Sequence, residues 1–290
     1  MNYRHHYHAG NFADVLKHAA LVRLVRAMQR KEKGFLYIDT HAGRGRYDLV
    51  AASRGDTLER APEWPDGIGR LWARGDLPET VADYVAQVRT FDQRQGNVVD
   101  PQPRFYPGSP RLVRALMRPQ DRMALFEKQP EESVRLKEEF LYERGVSVQT
   151  ADGYTAMRGQ LPPPEKRALV LIDPPFEARD EFKHIAAAVD EGLHRLPAGT
   201  FAIWYPLTER ARVDVFFSQL MAMKLPPTFA LELTVVGPAH PLKMKGCGLV
   251  VINPPWQIDR ELDPLGTWLA GMLSQAPGGD ASLHWLVREG

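Results

Sequence analysis

The residues best suited to chemistry in this sequence are Asp173, Pro174 and Phe176, which belong to the tetrapeptide Asp-Pro-Pro-Phe. An exocyclic base amine is a weak nucleophile because its lone pair is delocalised into the ring. It needs acceptors that return electron density to the nitrogen. The Asp173 carboxylate and the Pro174 carbonyl would supply them, and the Phe176 ring would support a base that has left its stack. The tetrapeptide therefore indicates methylation of a base amine, with a proline turn that closes a core strand as the alternative, because short motifs recur by chance.

An apolar run at residues 168–172 delivers this tetrapeptide to the place where ligands bind. Five apolar residues bounded by turn chemistry predict a buried strand. Neither Pro174 nor Pro175 can donate to a strand ladder, so the backbone must leave the sheet directly after Asp173. The carboxyl edge of an open α/β sheet is where such folds bind their ligands.

A glycine-containing loop follows an earlier predicted strand, residues 35–39. The strand ends at Asp39, and the loop continues through His41 to Gly43 and Gly45. The acid in this loop precedes the first glycine. This distinguishes the loop from a dinucleotide-binding fingerprint, in which the acid follows the glycines by about twenty residues. Glycines let the backbone approach a ligand closely, so the loop is predicted to pass under the amino-acid moiety of S-adenosylmethionine. Asp39 and Gly43 are therefore candidate cofactor-binding residues.

Acids end four successive predicted strands, and they should meet at one edge of the sheet. These acids are Asp39, Glu127, Asp152 and Asp173. Glu127 is expected to bind both ribose hydroxyls of an adenosine, and Asp152 to accept from the adenine amine of the cofactor. Each acid alone has an easy explanation as a helix cap. Four in order, separated by helical patterns, favour an α/β sheet with one binding edge.

The amino-terminal residues are basic, although the formal net charge of the chain is only +1. Residues 1–33 hold seven Lys or Arg against two acids, which suits a phosphate backbone and also a solvated helix face. Residues 1–10 are predicted to form a substrate-contacting arm, with Tyr3 and Arg4 as candidates for stacking and phosphate contact. The spacing of the histidines in this arm matches no metal site, so no metal is expected.

Two predicted helices point towards the cofactor. The first begins after an N-cap at Asn11, ends at Gly34, and presents Lys17 and His18 near the first strand. Ordinary surface positions are the alternative for those two residues. Ser109 is predicted to cap the second helix, whose amino end faces the cofactor if the preceding segment is an insertion.

The chain between the first two strands is too long for an ordinary crossover. Residues 46–102 contain helical pieces without strand alternation, so we predict an inserted helical subdomain there. Residues 1–45 and 103–290 then form one α/β domain with a seven-stranded, mostly parallel sheet. A second motif of the same type, Asn-Pro-Pro-Trp at residues 253–256, is interpreted as a turn that ends the sheet. The basic loop at residues 237–246 is a candidate for contact with nucleic acid.

Composition excludes several classes of protein. Hydrophobic residues make up 44% of the 290 and charged residues 25%, as in globular rather than disordered chains. No stretch approaches the roughly 18 apolar residues of a membrane span, and the amino end lacks the apolar core of a signal peptide. The expected location is therefore the cytoplasm. The single cysteine, Cys247, excludes a disulfide framework or a thiolate zinc site.

With these residues in view, the chain resembles the RlmJ family of 23S ribosomal RNA adenine-N6 methyltransferases. The resemblance covers essentially the whole length. It is carried by Tyr3-Arg-His, by His8-Ala-Gly-Asn11 and Ala13-Asp-Val-Leu-Lys17-His18, by Asp39-Thr-His41-Ala-Gly, by Tyr106-Pro-Gly-Ser109-Pro and by Asp173-Pro-Pro-Phe176. It implies a Rossmann-like class I methyltransferase fold with an inserted helical subdomain, and S-adenosylmethionine as cofactor. It also implies 23S ribosomal RNA as substrate, free or in an early assembly intermediate, and we expect a monomer that does not bind membranes.

The resemblance also implies roles for single residues. The implied cofactor contacts are His18, His41, Ser109, Glu127, Asp152 and Gly153. Asp173 would be the catalytic acceptor and would also contact the cofactor, and Tyr3 and Lys17 would contact the substrate. Phe176 departs from the family's motif, which often has tyrosine, so a ring face is kept and only a hydroxyl contact is in doubt.

Three alternatives remain open at this point. A DNA adenine methyltransferase would share every motif cited. A protein glutamine methyltransferase usually has asparagine at the position of Asp173, which disfavours it. A non-catalytic RNA-binding assembly factor on a methyltransferase fold is disfavoured by the intact acids at all four strand ends.

Overall fold

The computed structural model describes residues 7–53, 61–98 and 101–288, and strands and helices alternate along them. The strands are β1 (Leu36–Asp39), β2 (Arg46–Asp48), β3 (Phe105–Pro107), β4 (Arg122–Glu127), β5 (Val146–Thr150), β6 (Ala168–Ile172), β7 (Thr200–Leu207), β8 (Thr228–Thr234), β9 (Gly246–Ile252) and β10 (Asp280–Val287). The helices are α1 (Phe12–Met28), α2 (Leu49–Ser53), α3 (Ile68–Trp72), α4 (Glu79–Arg94), α5 (Ser109–Leu116), α6 (Pro130–Glu139), α7 (Gly153–Gln160), α8 (Glu181–Arg195), α9 (Arg210–Ala222) and α10 (Asp259–Leu273). None of these described helices is long and apolar enough to cross a lipid bilayer.

Eight of the described strands form one mixed sheet in the order β10-β8-β9-β7-β6-β1-β4-β5. β1 pairs in parallel with both β4 and β6, so the strand order reverses at β1 and creates a topological switch point there. The pairs β7–β9, β9–β8 and β8–β10 are antiparallel. The predicted α/β class is confirmed, but the predicted count of seven strands is wrong because β10 adds an eighth at the sheet edge.

Strands β1 and β6 form the buried centre of the sheet and deliver two of the candidate acids. Every residue of β6 is buried, which suits a parallel strand covered on both faces and explains its uninterrupted apolar run. Asp39 is the last residue of β1 and lies in register with Leu171 of β6. Asp173 comes directly after Ile172, the last residue of β6, so both carboxylates reach the same edge.

The amino-terminal helix α1 is buried on nearly its whole circumference, because α4, α5, α10 and β9 pack against it. Asn11 is its N-cap, as predicted: the side-chain oxygen accepts from two backbone N–H groups of the first turn, both at 3.0 Å. The helix ends at Met28 rather than at Gly34. Lys17 and His18 are buried in this packing, which excludes the interpretation of both as surface residues.

The predicted insertion, residues 46–102, is bounded by a short two-stranded ribbon. β2 pairs antiparallel with β3, and three residues of β2 are too few for the sequence to predict a strand. Helices α3 and α4 lie in the same hydrophobic core as α1. The buried Asp92 of α4 accepts from the backbone N–H groups of Arg104 and Phe105 at 3.2 and 2.7 Å. A separate subdomain stays a prediction, since the segment shares the core of the rest of the chain.

The second Pro-Pro motif lies at the opposite edge of the sheet from Asp173. Because β9 runs antiparallel to β7, its carboxyl end lies at the amino edge of the parallel strands. Asn253 follows β9, and its side-chain amide donates to the backbone carbonyls of Pro197 and Gly199 at 2.6 and 3.0 Å. The motif therefore forms a turn that holds the loop before β7.

Gly153, the first residue of α7, is expected to be essential for packing. A Cβ built on it would lie 1.9 Å from the Thr40 carbonyl oxygen, whereas a Cβ on Gly159 of the same helix meets nothing within 4 Å. We expect Gly153→Ala to lower the free energy of unfolding by about 1–3 kcal/mol or more. The matched variant Gly159→Ala should raise it by about 0.5–1 kcal/mol, because alanine is the better helix former. Urea unfolding of both variants measures the difference, and equal stabilities would show that the loop after β1 is not packed against α7 in this way.

Candidate active site

A cavity of about 1290 Å³ opens at the carboxyl edge of the parallel strands. The predicted site residues that line it are Lys17, His18, His41, Gly43, Ser109, Glu127, Asp152, Asp173, Pro174 and Phe176. Asp39 and Gly153 do not line it. Tyr3 and Arg4 belong to residues 1–6, which lie outside the described residues. Most of the residues selected by type and spacing are thus brought to one cavity.

Lys17 joins helix α1 to the end of strand β6. Its ammonium nitrogen lies 2.8 Å from Asp14 Oδ1 and 2.5 Å from Asp173 Oδ2, and all three side chains are largely withdrawn from solvent. Burial alone would lower the pKa of Lys17, but the two carboxylates outweigh it and hold that pKa well above its usual value. Two carboxylates and one ammonium leave a net negative charge at this wall of the cavity.

Asp39 is fully buried and does not line the cavity, so its predicted contact with the cofactor stays a prediction. Its Oδ2 accepts from the Tyr37 hydroxyl at 2.8 Å and from the Ser109 hydroxyl at 2.7 Å. Burial raises the pKa of Asp39 to about 6, although the hydrogen bonds from Ser109 and Tyr37 act in the opposite direction. Asp39 therefore orients Ser109, which does line the cavity. Ser109 is the first residue of α5 and not its predicted cap, because Gly108 holds the cap position and the Ser109 hydroxyl donates to Asp39 instead.

Gly153 is also displaced from the cavity surface, because the backbone of Thr40 lies directly against it. Its neighbour Asp152 lines the cavity and caps α7 by accepting from the Thr155 N–H at 3.3 Å. Lys128 donates to the other oxygen of Asp152 at 3.0 Å. Burial would raise the pKa of Asp152, but the Lys128 ammonium and the cap hydrogen bond lower it below its ordinary value. The carboxylate is thus kept charged at the cavity.

Glu127 and Gly43 form one wall together. The N–H of Gly43 donates to Glu127 Oε2 at 2.9 Å, and the N–H of Gln129 donates to Oε1 at 2.7 Å. Burial raises the pKa of Glu127, and these backbone donors oppose that rise. Gly43 has a φ of +59°, and a Cβ there would lie 2.5 Å from the Tyr47 hydroxyl. Both the left-handed turn and the space require glycine.

His41 faces the cavity from the loop after β1. Its Nδ1 lies 2.8 Å from the Thr40 hydroxyl, and its ring meets the edge of Tyr154 at 4.9 Å between centroids. Burial lowers the pKa of His41 to about 4. The imidazole is therefore neutral at physiological pH and does not repel a cationic ligand.

An aromatic wall stands beside Asp173. The Phe176 ring makes edge contacts with Phe182 and Trp204, at centroid distances of 5.1 and 5.8 Å. Phe176 has a φ of +50°, which is uncommon for a bulky residue and turns the chain sharply after the two prolines. Phe182 and Trp204 were missed by sequence reasoning. Trp204 had a usable signal, since it lies near the end of the predicted strand that follows the motif.

The chain matches a known protein family over most of its length. Residues 32–287 match the family model described as ribosomal RNA large subunit methyltransferase D, RlmJ. Two curated relatives, both named ribosomal RNA large subunit methyltransferase J, come from Escherichia coli and Haemophilus influenzae. Each is 37% identical over 289 residues and is covered, like this chain, over 100% of its length.

A solved structure also shares the fold over nearly the whole chain. It is a protein from Legionella pneumophila that is 32% identical, with a TM-score of 0.85. The match covers 96% of this chain and 98% of the other. The fold of this chain is therefore shared by a protein of which about a third of the residues are identical.

The low pKa of His41 predicts a pH dependence of stability. A histidine whose pKa is about 4 when folded and 6.5 when unfolded favours the unfolded state as pH falls, because the unfolded chain binds the proton first. Its stabilising contribution is complete above pH 6.5 and is lost between pH 6.5 and 4. When the pH is lowered from 7 to 5, the unfolding free energy of the parent chain should fall by up to about 2 kcal/mol more than that of His41→Gln, which lacks the ionisable ring. Urea unfolding at both pH values and NMR titration of the His41 ring test this, and a midpoint near 6.5 would contradict it.

Proposed function

Because this chain belongs to the RlmJ family of ribosomal RNA large subunit methyltransferases, we propose that it methylates the exocyclic amine of an adenine in 23S ribosomal RNA. The chain is a methyltransferase that uses S-adenosylmethionine. The adenine, the 23S substrate, a monomeric state and action in the cytoplasm belong to the proposal. The observation that carries it is the Asp173 carboxylate, held by Lys17 at the cavity and followed by the Pro174 carbonyl and an aromatic wall.

The residues of the cavity fit the cofactor. Glu127 and Asp152 place carboxylates from neighbouring strands on one wall, as ribose hydroxyls and an adenine amine require. Gly43 lacks the side chain that would fill the space beside Tyr47. The negative charge around Asp173 and the neutral ring of His41 suit a sulfonium. When bound, the cofactor supplies an electrophilic methyl group.

Asp173 is suited to orient the amine that accepts this methyl. Its Oδ2 is occupied by Lys17, while no hydrogen bond to Oδ1 occurs among the described residues, so Oδ1 can accept from the amine. The Pro174 carbonyl is a second acceptor for the other amine hydrogen. Together they draw electron density onto the nitrogen and align its lone pair, and alignment supplies much of the rate in such a transfer. The Phe176 and Trp204 rings provide the faces that would hold an extruded base.

Removal of the Asp173 charge tests the proposal. We expect Asp173→Asn to reduce methyl transfer by roughly 10²–10³, because an amide cannot replace the carboxylate as acceptor at both positions. Cofactor affinity, measured by calorimetry, should fall far less than turnover, since Asp14 keeps a carboxylate at this wall and the other residues expected to bind the cofactor lie on other strands. Loss of cofactor binding without a separate effect on turnover would contradict the assigned role.

The assay itself separates the candidate substrates. Labelled methyl groups should appear in 23S ribosomal RNA and not in double-stranded DNA or in protein, and digestion should identify N6-methyladenine. Incorporation into DNA alone would favour the DNA methyltransferase, and incorporation into protein the glutamine methyltransferase. Cofactor binding without any incorporation would favour the assembly factor.

The cavity mouth carries cations that suit an RNA backbone. Lys243, in the predicted basic loop at residues 237–246, and Arg212, in α9, are exposed and line the mouth. Among the described residues, neither forms an ion pair with a carboxylate. Arg212 donates to the backbone carbonyl of Arg179 at 3.0 Å, so its charge is not neutralised, and both cations suit phosphates next to the adenine.

Lys243→Ala is expected to weaken RNA binding without changing cofactor affinity. Loss of one phosphate contact should reduce the slope of log affinity against log salt by about 1. Lys31→Ala is the matched control, because Lys31 is also exposed but follows α1 at the opposite edge of the sheet. Filter binding of a 23S fragment at several salt concentrations measures both slopes. Equal slopes for the two variants would place the RNA elsewhere.

A further inference from the structure

Three buried side chains form a hydrogen-bonded chain that leads from the cavity into the segment 46–102. His18 lines the cavity from α1, and its Nδ1 lies 2.8 Å from the Tyr106 hydroxyl. The Tyr106 hydroxyl lies 2.9 Å from the hydroxyl of Tyr84, which belongs to α4. Neither tyrosine is exposed to solvent, and the exposure of His18 is 1%.

The number of protons on these three side chains fixes which group donates in each hydrogen bond. Tyr84 has no other hydrogen-bond partner among the described residues, so its single proton is satisfied only if it donates to Tyr106. Tyr106 then accepts from Tyr84 and has its own proton left for His18 Nδ1. Every other arrangement leaves one buried hydroxyl proton without an acceptor, and a stranded buried donor costs free energy. Nδ1 of His18 must therefore be an acceptor, and the ring proton must lie on Nε2.

We propose that Tyr84 and Tyr106 are positioning residues that hold His18 as the Nε2–H tautomer, so that this ring offers a donor to an acceptor group of the bound cofactor. The proposal rests on the cavity being the cofactor site, as inferred above. Tyr106 also holds the ring in place by stacking, with centroids 5.6 Å apart and planes inclined by 28°. Segment 46–102 thereby influences cofactor affinity through Tyr84 without lining this part of the cavity.

The surroundings of Tyr84 and Tyr106 keep both hydroxyls neutral. Burial raises the pKa of Tyr84 and of Tyr106 well above the ordinary value, and the nearby Asp14 acts in the same direction for both. Both hydroxyls are therefore protonated and remain donors at physiological pH. The tautomer of His18 should not change with pH through either tyrosine.

The tautomer can be observed directly in the protein without cofactor. Long-range ¹H–¹⁵N NMR of protein labelled at histidine should show His18 with its proton on Nε2. In Tyr106→Phe the acceptor nitrogen loses its donor, and the spectrum should show a shift towards a mixture of tautomers. A wild-type His18 that carries its proton on Nδ1 would overturn the proposal, whether or not any variant folds.

Cofactor affinity provides the second readout. Tyr106→Phe should weaken S-adenosylmethionine binding about tenfold in calorimetry, which corresponds to loss of one hydrogen bond's free energy. Tyr84→Phe should weaken it less, because Tyr106 keeps its proton for His18. Turnover at saturating cofactor should remain close to that of the parent chain, so that KM for the cofactor rises while kcat is kept.

Tyr205→Phe is the matched control. Its hydroxyl is also buried and donates to Glu232 at 2.8 Å, but Glu232 does not line the cavity, whereas His18, the partner of Tyr106, does. This variant should bind the cofactor like the parent chain, and equal affinities of Tyr106→Phe and Tyr205→Phe would overturn the proposal. Failure of the proposed RNA methylation would leave the tautomer and affinity results unchanged, so the two hypotheses fail separately.

Discussion

The buried ion pairs of Lys17 are the interaction on which the rest of the site depends. An ammonium withdrawn from water must be paired, and removal of one partner typically costs several kcal/mol. Asp14 lies one turn before Lys17 on the same helix, whereas Asp173 follows a strand far along the chain. The pairing therefore holds the first turns of α1 at the end of β6. Helix α1 belongs to the active site as much as the sheet does, and the helices packed around it serve to keep it there.

The parts of the fold that follow from local pattern were predictable. Apolar runs marked the buried strands, and the acids at their ends marked the binding edge, because both signals lie within a few consecutive residues. β10 was not predicted, since an edge strand with a half-exposed face has no comparable apolar run. The burial of Asp39 was not predictable either. It depends on the hydroxyls of Tyr37 and Ser109, and Ser109 comes from a distant part of the chain. The wall formed by Phe182 and Trp204 is likewise a product of tertiary packing.

The two Pro-Pro motifs show why a short motif needs its strand direction. Asp173 and Asn253 both follow buried strands, but β6 and β9 run in opposite directions within the sheet. The left-handed residue also differs: it is Phe176, the last of the first motif, and Asn253, the first of the second. The first motif consequently presents the Asp173 carboxylate and the Phe176 ring to the cavity. In the second motif the Asn253 amide donates to two backbone carbonyls. The two motifs are similar in sequence, but the directions of their strands place them at opposite edges of the sheet.

The segment 46–102 can be long without disturbing the site because its two ends are fastened together. It leaves the glycine loop through β2 and returns through β3, immediately before Ser109. The N–H of Gly108 donates to the Gly45 carbonyl at 2.9 Å, which joins the two loops directly. Gly43 and Ser109 are thereby held by one ribbon whatever lies between them. The segment can gain or lose residues beyond α4 at little cost to the cavity, since loop-closure entropy changes slowly with length. A change within α4 is different, because Tyr84 and Asp92 connect that helix to His18 and to β3.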